Sequence, residues 1–147
     1  VKILGVDVSL KTGFQWCKHW NLDLLLNYTY QDARDLTNPN EAYYGDQIPY
    51  TPWHSGSVVG NLKYKTWNLN YSFIYTGERY NQSANIIENY VLPWYTHDLS
   101  LSKQFILKKV KLTAAAEVNN LFNQQYDVVL NYPMPGTNFK LILKAEL

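Results

Sequence analysis

The residues that could act as catalysts or metal ligands are few and widely spaced along this chain. The three histidines, His19, His54 and His97, lack any metal-ligand spacing, and Cys17 is the one cysteine. His97 and Asp98 are sequence neighbours, so on a strand they point to opposite faces and cannot form an acid–base pair. The sequence also lacks a glycine-rich phosphate loop and a nucleophile elbow. We therefore expect no catalytic residue, no metal site, no cofactor and no enzyme activity.

One acidic stretch is a weak candidate for a calcium site. Its carboxylates could supply the oxygen ligands that Ca²⁺ prefers, but they do not follow the spacing of a calcium-binding loop. A solvated loop is the simpler interpretation. The four residues are Asp32, Asp35, Glu41 and Asp46.

Aromatic residues in the predicted long loops are the candidates for ligand binding. Exposed aromatic side chains on loops provide rigid contact area at a low entropy cost. The same residues could instead pack at the rim of a sheet or against one another, and the sequence leaves both possibilities open. The six residues are Tyr43, Tyr44, Tyr50, Tyr90, Trp94 and Tyr126.

The elements that would position these residues are strands. Apolar and polar residues alternate in seven segments, which is typical of strands with one apolar and one polar face. The clearest case, Trp67 to Thr76, places its apolar residues on one face, and only Ile74 breaks the polar side. The pattern predicts an all-β, antiparallel up-and-down meander of about seven long strands. The segments are Leu4–Leu10, Trp20–Gln31, Val58–Tyr64, Trp67–Thr76, Tyr95–Phe105, Val110–Asn119 and Asn138–Leu147.

The predicted links alternate between short and long. Short links lie near residues 15–19, 64–66 and 107–109, and long links near 32–53, 81–93 and 120–136. Because consecutive strands reverse direction, all short links fall on one rim and all long links on the other. This asymmetry is typical of outer-membrane barrels, which have tight turns at one end and extended loops at the other.

The chain is rich in aromatic residues, with 13 Tyr, 5 Trp and 5 Phe, and those on the apolar faces form two predicted girdles. Eight to ten residues separate the two girdles along a strand, or roughly 20–25 Å for tilted strands, which matches the apolar band of membrane barrels. Amphipathic rings favour the headgroup level of a bilayer. The short-turn girdle contains Trp20, Tyr64, Trp67 and Phe105, and the long-loop girdle contains Tyr28, Tyr30, Trp53, Tyr75 and Tyr95.

A soluble fold remains the alternative. A soluble β-barrel or sandwich that binds a small hydrophobic ligand would show the same alternation, with its apolar faces turned inward. Aromatics at both ends of each strand favour the membrane barrel, because a soluble core needs them at its centre. A formal net charge of +1, without a basic stripe, argues against nucleic acid as a partner.

One region of the sequence resembles a known family. The run Ala116 to Tyr126, with its Asn-Leu-Phe-Asn turn, and the later Tyr-Pro-Met-Pro-Gly resemble the C-terminal signature of TonB-dependent outer-membrane receptors. The segments Tyr28–Asp35, Ile48–Pro52 and Gly77–Tyr80 resemble further parts of that family, so the resemblance covers nearly the whole chain. The motif residues are Asn119, Asn120, Leu121, Phe122, Asn123, Tyr126, Tyr132, Pro133, Met134, Pro135 and Gly136.

The resemblance implies a nutrient-uptake receptor of the bacterial outer membrane. Its substrates would be ferric siderophores, cobalamin, haem or glycans, and residues 1–147 would be the C-terminal part of a 22-stranded barrel whose plug and signal peptide lie outside this sequence. Expected partners are outer-membrane lipid, the nutrient, such as a metal chelate, the TonB complex through the N-terminal part, and the barrel-assembly machinery through the last strand. The isolated segment should aggregate, pair with copies of itself, or curl so that Leu and Tyr face inward, because an open sheet has unpaired edges and a large apolar face.

The sequence also gives specific predictions for several residues near the end of the chain. The family usually ends in an aromatic residue, whereas this sequence ends in Leu147, which puts recognition by the assembly machinery in doubt. Gly136 is expected to permit a sharp turn, and Asn119, Asn120 and Asn123 to bond their own backbone where the sheet stops.

Overall fold

A computed structural model describes residues 1–108 and 110–146. Lys109, in the third predicted short link, and Leu147, the predicted end of the last strand, lie outside these ranges. In the described ranges the long strands are β1 (Lys2–Cys17), β2 (Trp20–Arg34), β3 (His54–Tyr64), β4 (Trp67–Thr76), β7 (Trp94–Leu107), β8 (Val110–Asn119) and β11 (Asn138–Glu146). The long loops contain the short strands β5 (Arg79–Tyr80), β6 (Tyr90–Val91), β9 (Asp127–Val129) and β10 (Tyr132–Pro133), and a 3-10 turn at Ile87–Asn89.

The seven long strands form one antiparallel meander. Their order in the sheet is β1-β2-β3-β4-β7-β8-β11, so each long strand lies beside the next one in the sequence. The all-β meander predicted from the sequence is therefore confirmed. β1 and β11 form the two edges of this sheet, and each has one neighbour in it.

The cross-strand register keeps the two faces of the sheet separate over its whole width. Trp20 lies opposite Tyr64, Tyr64 opposite Trp67, and Trp67 opposite Lys103. At the other rim, Tyr28 lies opposite Gly56, which lies opposite Tyr75. Since side chains alternate along every strand, the apolar positions of all seven strands fall on one face. We call this the apolar face and the opposite one the polar face.

Four long strands, β1, β2, β3 and β7, extend beyond their predicted limits, and β1 extends furthest. β1 continues past Leu10 to Cys17, so the first short link contains only Lys18 and His19 instead of residues 15–19. Between Gln15 and Cys17 the register shifts, which breaks the alternation that the sequence analysis relied on. Backbone hydrogen bonds to β2 carry the ladder through a stretch whose side chains give no clear pattern.

The sheet has almost no buried hydrophobic core. Among the described residues, Ala33 and Val91 are the buried apolar side chains, whereas Leu141 is 85% exposed and Leu143 77% exposed. A soluble barrel or sandwich would enclose these side chains, but in the described part of the chain the two edge strands do not pair and no second layer covers the apolar face. In the described ranges, no helix is long and apolar enough to cross a membrane.

Candidate functional site

The three long loops lie together at one end of the sheet. The first long loop is residues 35–53, the second 77–93 and the third 120–137. Each connects two neighbouring long strands, so antiparallel order brings all three to the same rim. Backbone and side-chain hydrogen bonds then join the loops to one another.

The first long loop is attached to the end of β2 and to the second loop. The Ile48 amide donates to the Ala33 carbonyl at 3.0 Å, and Gln47 is buried. The Tyr50 amide donates to the Tyr80 carbonyl at 2.7 Å. The Asn85 amide donates to Asp46 Oδ2 at 2.9 Å. The first two loops therefore form one connected unit.

Arg79 connects the second long loop to the third. Its side chain donates to the carbonyl oxygens of Leu92 at 3.2 Å, Asp127 at 2.8 Å and Val128 at 3.0 Å. Arg79 is only 3% exposed, and its burial lowers the pKa of the guanidinium. Within the described chain, no carboxylate lies within ion-pair distance of it, so backbone carbonyls compensate this buried charge.

Asn120 organises the third long loop. Its amide nitrogen donates to the carbonyls of Gln124 at 2.9 Å and Pro135 at 3.2 Å, and its Oδ1 accepts from the Gln124 amide at 2.8 Å. Its backbone amide donates to Asp98 Oδ1 at 2.8 Å, which fixes the loop to β7. Asn120 is buried and has a positive φ of 50°, a conformation that asparagine tolerates well.

The second and third loops enclose a concave site of about 310 Å³. Tyr90, Pro93, Tyr126 and Pro133 line it, together with the amide side chains of Gln124 and Gln125. Tyr126 stacks on Trp94, with ring centroids 4.6 Å apart. Flat aromatic and proline surfaces beside amide groups suit an organic ligand that has both apolar and hydrogen-bonding parts.

Burial and nearby acidic groups raise the pKa values of two tyrosines of this site. Burial raises the pKa of the Tyr126 phenol, and the charge of Asp98 adds to the effect. Burial also raises the pKa of Tyr90, whose hydroxyl donates to Glu78 Oε2 at 2.9 Å. The single O–H of Tyr90 is used by Glu78, so toward a ligand this phenol can only accept a hydrogen bond.

The six predicted ligand-binding aromatics divide into two groups. The structure brings Tyr90, Trp94 and Tyr126 together at the concave site, where Tyr90 and Tyr126 line it and Trp94 supports Tyr126. Tyr43, Tyr44 and Tyr50 lie in the first loop, and the last two are more than one third exposed. Arg79 and Gln124, which shape the site, were not predicted as site residues. A buried arginine bonded only to carbonyls gives no sequence signal.

The predicted roles of two motif residues need correction. Asn119 does not bond its own backbone, because its side chain donates to Asn138 Oδ1 on the neighbouring strand at 3.0 Å. Asn123 does not bond its own local backbone either, because its Oδ1 accepts from the Thr137 amide across the loop at 3.1 Å. The φ of Gly136 is not in the left-handed region, and a Cβ at position 136 would have to displace Asn123 Oδ1 from this hydrogen bond.

Other motif residues lie at the same rim. The Leu121 amide donates to the His97 carbonyl at 2.8 Å. The Phe122 and His97 rings meet edge to face, with their centroids 4.8 Å apart. The Met134 amide donates to the Tyr126 carbonyl at 3.0 Å, which joins the two halves of the third loop. Tyr132 is 71% exposed.

His54, His97 and the four loop carboxylates each form a hydrogen bond within the structure. His54 bonds the Tyr28 hydroxyl at 2.8 Å, and His97 bonds the Tyr71 hydroxyl at 2.7 Å, both on the apolar face. The four acidic residues of the calcium hypothesis have separate partners, which are Arg34, Thr37, Asn38 and Asn85. The described residues contain no group of three or more His, Cys, Asp or Glu side chains that could hold a metal ion.

Comparison with known families agrees with this architecture. Residues 1–121 match the family model described as TonB dependent receptor-like, beta-barrel. The chain belongs to this family. TonB-dependent receptors are transporters that take up nutrients across the outer membrane of Gram-negative bacteria, and they are not enzymes. The resemblance first seen in the motif residues is therefore confirmed, although the match ends at residue 121, within the Asn-Leu-Phe-Asn motif.

No curated protein matches the sequence. The family match and the structure therefore carry the functional argument together. In a receptor of this family, the apolar face contacts lipid and the polar face lines the lumen. In outer-membrane barrels the longer loops lie on the extracellular side.

Proposed function

We propose that the protein imports a scarce nutrient such as a ferric siderophore, cobalamin, haem or a glycan. In this proposal the joined long loops supply part of the surface that captures the nutrient. The concave site between the second and third loops carries the proposal, because Tyr90 and Tyr126 line it and Arg79 fixes both of its walls. A site held by a buried arginine is preorganised, so binding costs little further ordering.

We further propose that residues 1–147 are the C-terminal part of a larger barrel. The unpaired edges of β1 and β11 support this, because an open sheet edge is not tolerated in a bilayer and must pair with further strands. The family pattern implies 22 strands, a plug that occludes the lumen, and contact with the TonB complex through the N-terminal part. It also implies recognition of the last strand by the barrel-assembly machinery.

The first experiment identifies the nutrient. A strain without the full-length receptor is grown with ferric citrate, a ferric hydroxamate, haemin, cyanocobalamin or a maltooligosaccharide as the sole source of the limiting nutrient. Growth should fail on one of these sources and return when the gene is restored. Normal growth on every source, iron, cobalamin and glycan alike, would contradict the proposed substrates.

The second experiment tests the loop surface in the full-length receptor. Alanine is substituted at Tyr43, Tyr44, Tyr50, Tyr90, Trp94 and Tyr126 in turn, and binding of the identified nutrient is measured. Removal of an aromatic contact should weaken binding at least about fivefold, or ~1 kcal/mol, with the largest losses at Tyr90 and Tyr126. Tyr132→Ala is the matched control, since Tyr132 is an exposed tyrosine of the third loop outside the lining of the concave site. Unchanged affinity in all six variants would refute the proposal that these residues contribute to a nutrient-binding surface.

A further inference from the structure

A lysine lies on the apolar face, among residues that should contact lipid. Lys103 pairs across the sheet with Trp67 on β4 and Ala114 on β8. In their described residues, the six long strands other than β7 carry no Asp, Glu, Lys or Arg on this face between the two girdles. A charge that contacts lipid tails destabilises a barrel, although the cost is small near the interface. The position therefore calls for a specific reason.

Aromatic rings hold the ammonium group of Lys103 in place. Its Nζ lies 4.3 Å from the centroid of the Trp67 ring and 5.4 Å from the centroid of the Phe105 ring. Within the described chain, no carboxylate forms an ion pair with Lys103. Cation–π contacts orient the group but leave its three hydrogen-bond donors free for an oxygen-rich partner.

An apolar trough begins beside this lysine. The register places Lys103, Ala114 and Leu143 in one row across three strands, and Leu101, Ala116 and Leu141 in the next row. The small alanines form a floor between two walls of larger side chains, and the trough has a volume of about 410 Å³. Nearly all of its surface is apolar, and it runs along β8 from the short-turn girdle toward the middle of the sheet.

We propose that this trough and Lys103 bind one anionic phospholipid of the periplasmic leaflet. The lipid phosphate would accept hydrogen bonds from Lys103 Nζ at the level of the short-turn girdle, and one acyl chain would lie along Ala114 and Ala116. The polarity of the site matches that of the lipid, because the charge is at the rim and the apolar groove points toward the bilayer centre. The inference rests on the membrane setting of the proposed function.

The experiment uses the full-length receptor in detergent. Native mass spectrometry measures bound lipid during titration with phosphatidylglycerol or with phosphatidylethanolamine. The wild type should prefer phosphatidylglycerol, and Lys103→Gln should reduce that preference about fivefold, the factor expected for about 1 kcal/mol per basic residue near a lipid surface. Lys103→Arg should retain it. Ala116→Leu should weaken binding of both lipids, because the new side chain fills the trough.

Lys65→Gln is the matched control. Lys65 also lies over an aromatic ring at the same rim, 5.3 Å from the Tyr64 centroid, but it is an exposed turn residue that does not line the trough. A preference that survives Lys103→Gln, or that falls equally with Lys65→Gln, would overturn the proposal. Heat-modifiable migration on gels confirms that each variant is folded. Nutrient binding by Lys103→Gln is measured in the same preparation, so that loss of the lipid site is distinguished from failure of the transport proposal.

Discussion

At the scale of single residues, Arg79 is the side chain on which the loop site depends most. It is buried, it carries a charge, and its hydrogen-bond acceptors are carbonyls of two different loops. Its removal would leave the carbonyls of Leu92, Asp127 and Val128 without this donor. The long strands do not depend on it, because their ladders are complete without this side chain.

We therefore predict that Arg79→Gln loosens the loops while the barrel stays intact. Lost hydrogen bonds to a charged donor should destabilise the docked loops by about 2–4 kcal/mol. Hydrogen exchange in the full-length receptor should become faster at residues 90–93 and 127–129. Arg34→Gln is the control, because Arg34 makes an ion pair with Asp32 that is exposed and largely screened by water. Equal effects of the two variants would show that Arg79 does not join the loops.

The Tyr126 phenol gives a pH-dependent prediction. Its pKa is raised in the folded loop, so the stability it contributes is fully present below the unfolded value of about 10. That contribution is lost as the pH rises through the higher folded pKa. The difference in absorbance at 295 nm between wild type and Tyr126→Phe, titrated from pH 8 to 13, should show a midpoint above about 10. A midpoint at or below that value would mean that the phenol is solvated.

At the scale of the strands, alternation was sufficient to predict most of the fold. Trp67 to Thr76 was placed correctly because its apolar residues other than Ile74 repeat at period two and the register continues into β3 and β7. The limit at Leu10 was wrong because Lys11, Thr12 and Gly13 interrupt the pattern while the backbone ladder continues. Side-chain patterns do not report such backbone pairing.

The loop site was only partly predictable. Tyr90 and Tyr126 could be named as exposed aromatics, but their proximity depends on the long-range bonds of Arg79 and Asn120. The two-residue strands β5 and β6 are too short to show a period. The need for a glycine at position 136 arises from a contact with Asn123 that only the folded loop creates.

Two adjacent leucines in β2 test the assignment of the faces. Leu24 lies opposite Gly60 on the apolar face near mid-height, and Leu25 lies opposite Val59 on the polar face. In the full-length receptor, Leu24→Arg should lower the free energy of unfolding by about 2–4 kcal/mol, the cost of arginine at the bilayer midplane. Leu25→Arg should cost much less, because its side chain reaches the aqueous lumen. Denaturant unfolding in vesicles measures both, and a larger cost at position 25 would reverse the assignment.

At the scale of the whole molecule, the described residues form a single-layered sheet without a buried apolar core. In the described residues only Ala33 and Val91 are buried apolar side chains, and both edges are open. Such a sheet requires lipid on one face, an aqueous lumen on the other, and further strands at its edges. A complete barrel of this family in the outer membrane would supply all three.

Residues 1–147 expressed alone should therefore not form a soluble monomer with an exposed apolar face. The exposed apolar face and the free edges of β1 and β11 should lead to aggregation, to pairing between copies, or to curling that turns the apolar side chains inward. Sedimentation velocity and binding of a hydrophobic dye distinguish these outcomes. A monodisperse monomer in detergent-free buffer that still binds the dye strongly would contradict this expectation.

The central claim is that the apolar face contacts lipid tails and the polar face lines a water-filled lumen. The most direct measurement uses the full-length receptor in vesicles, with Leu24→Cys or Leu25→Cys introduced into a Cys17→Ser background and labelled with a fluorophore. The label at position 24 should be quenched by lipids with brominated acyl chains, and the label at position 25 should be quenched by aqueous iodide. Quenching by brominated lipid at position 25 but not at position 24, or equal quenching at both, would contradict the account.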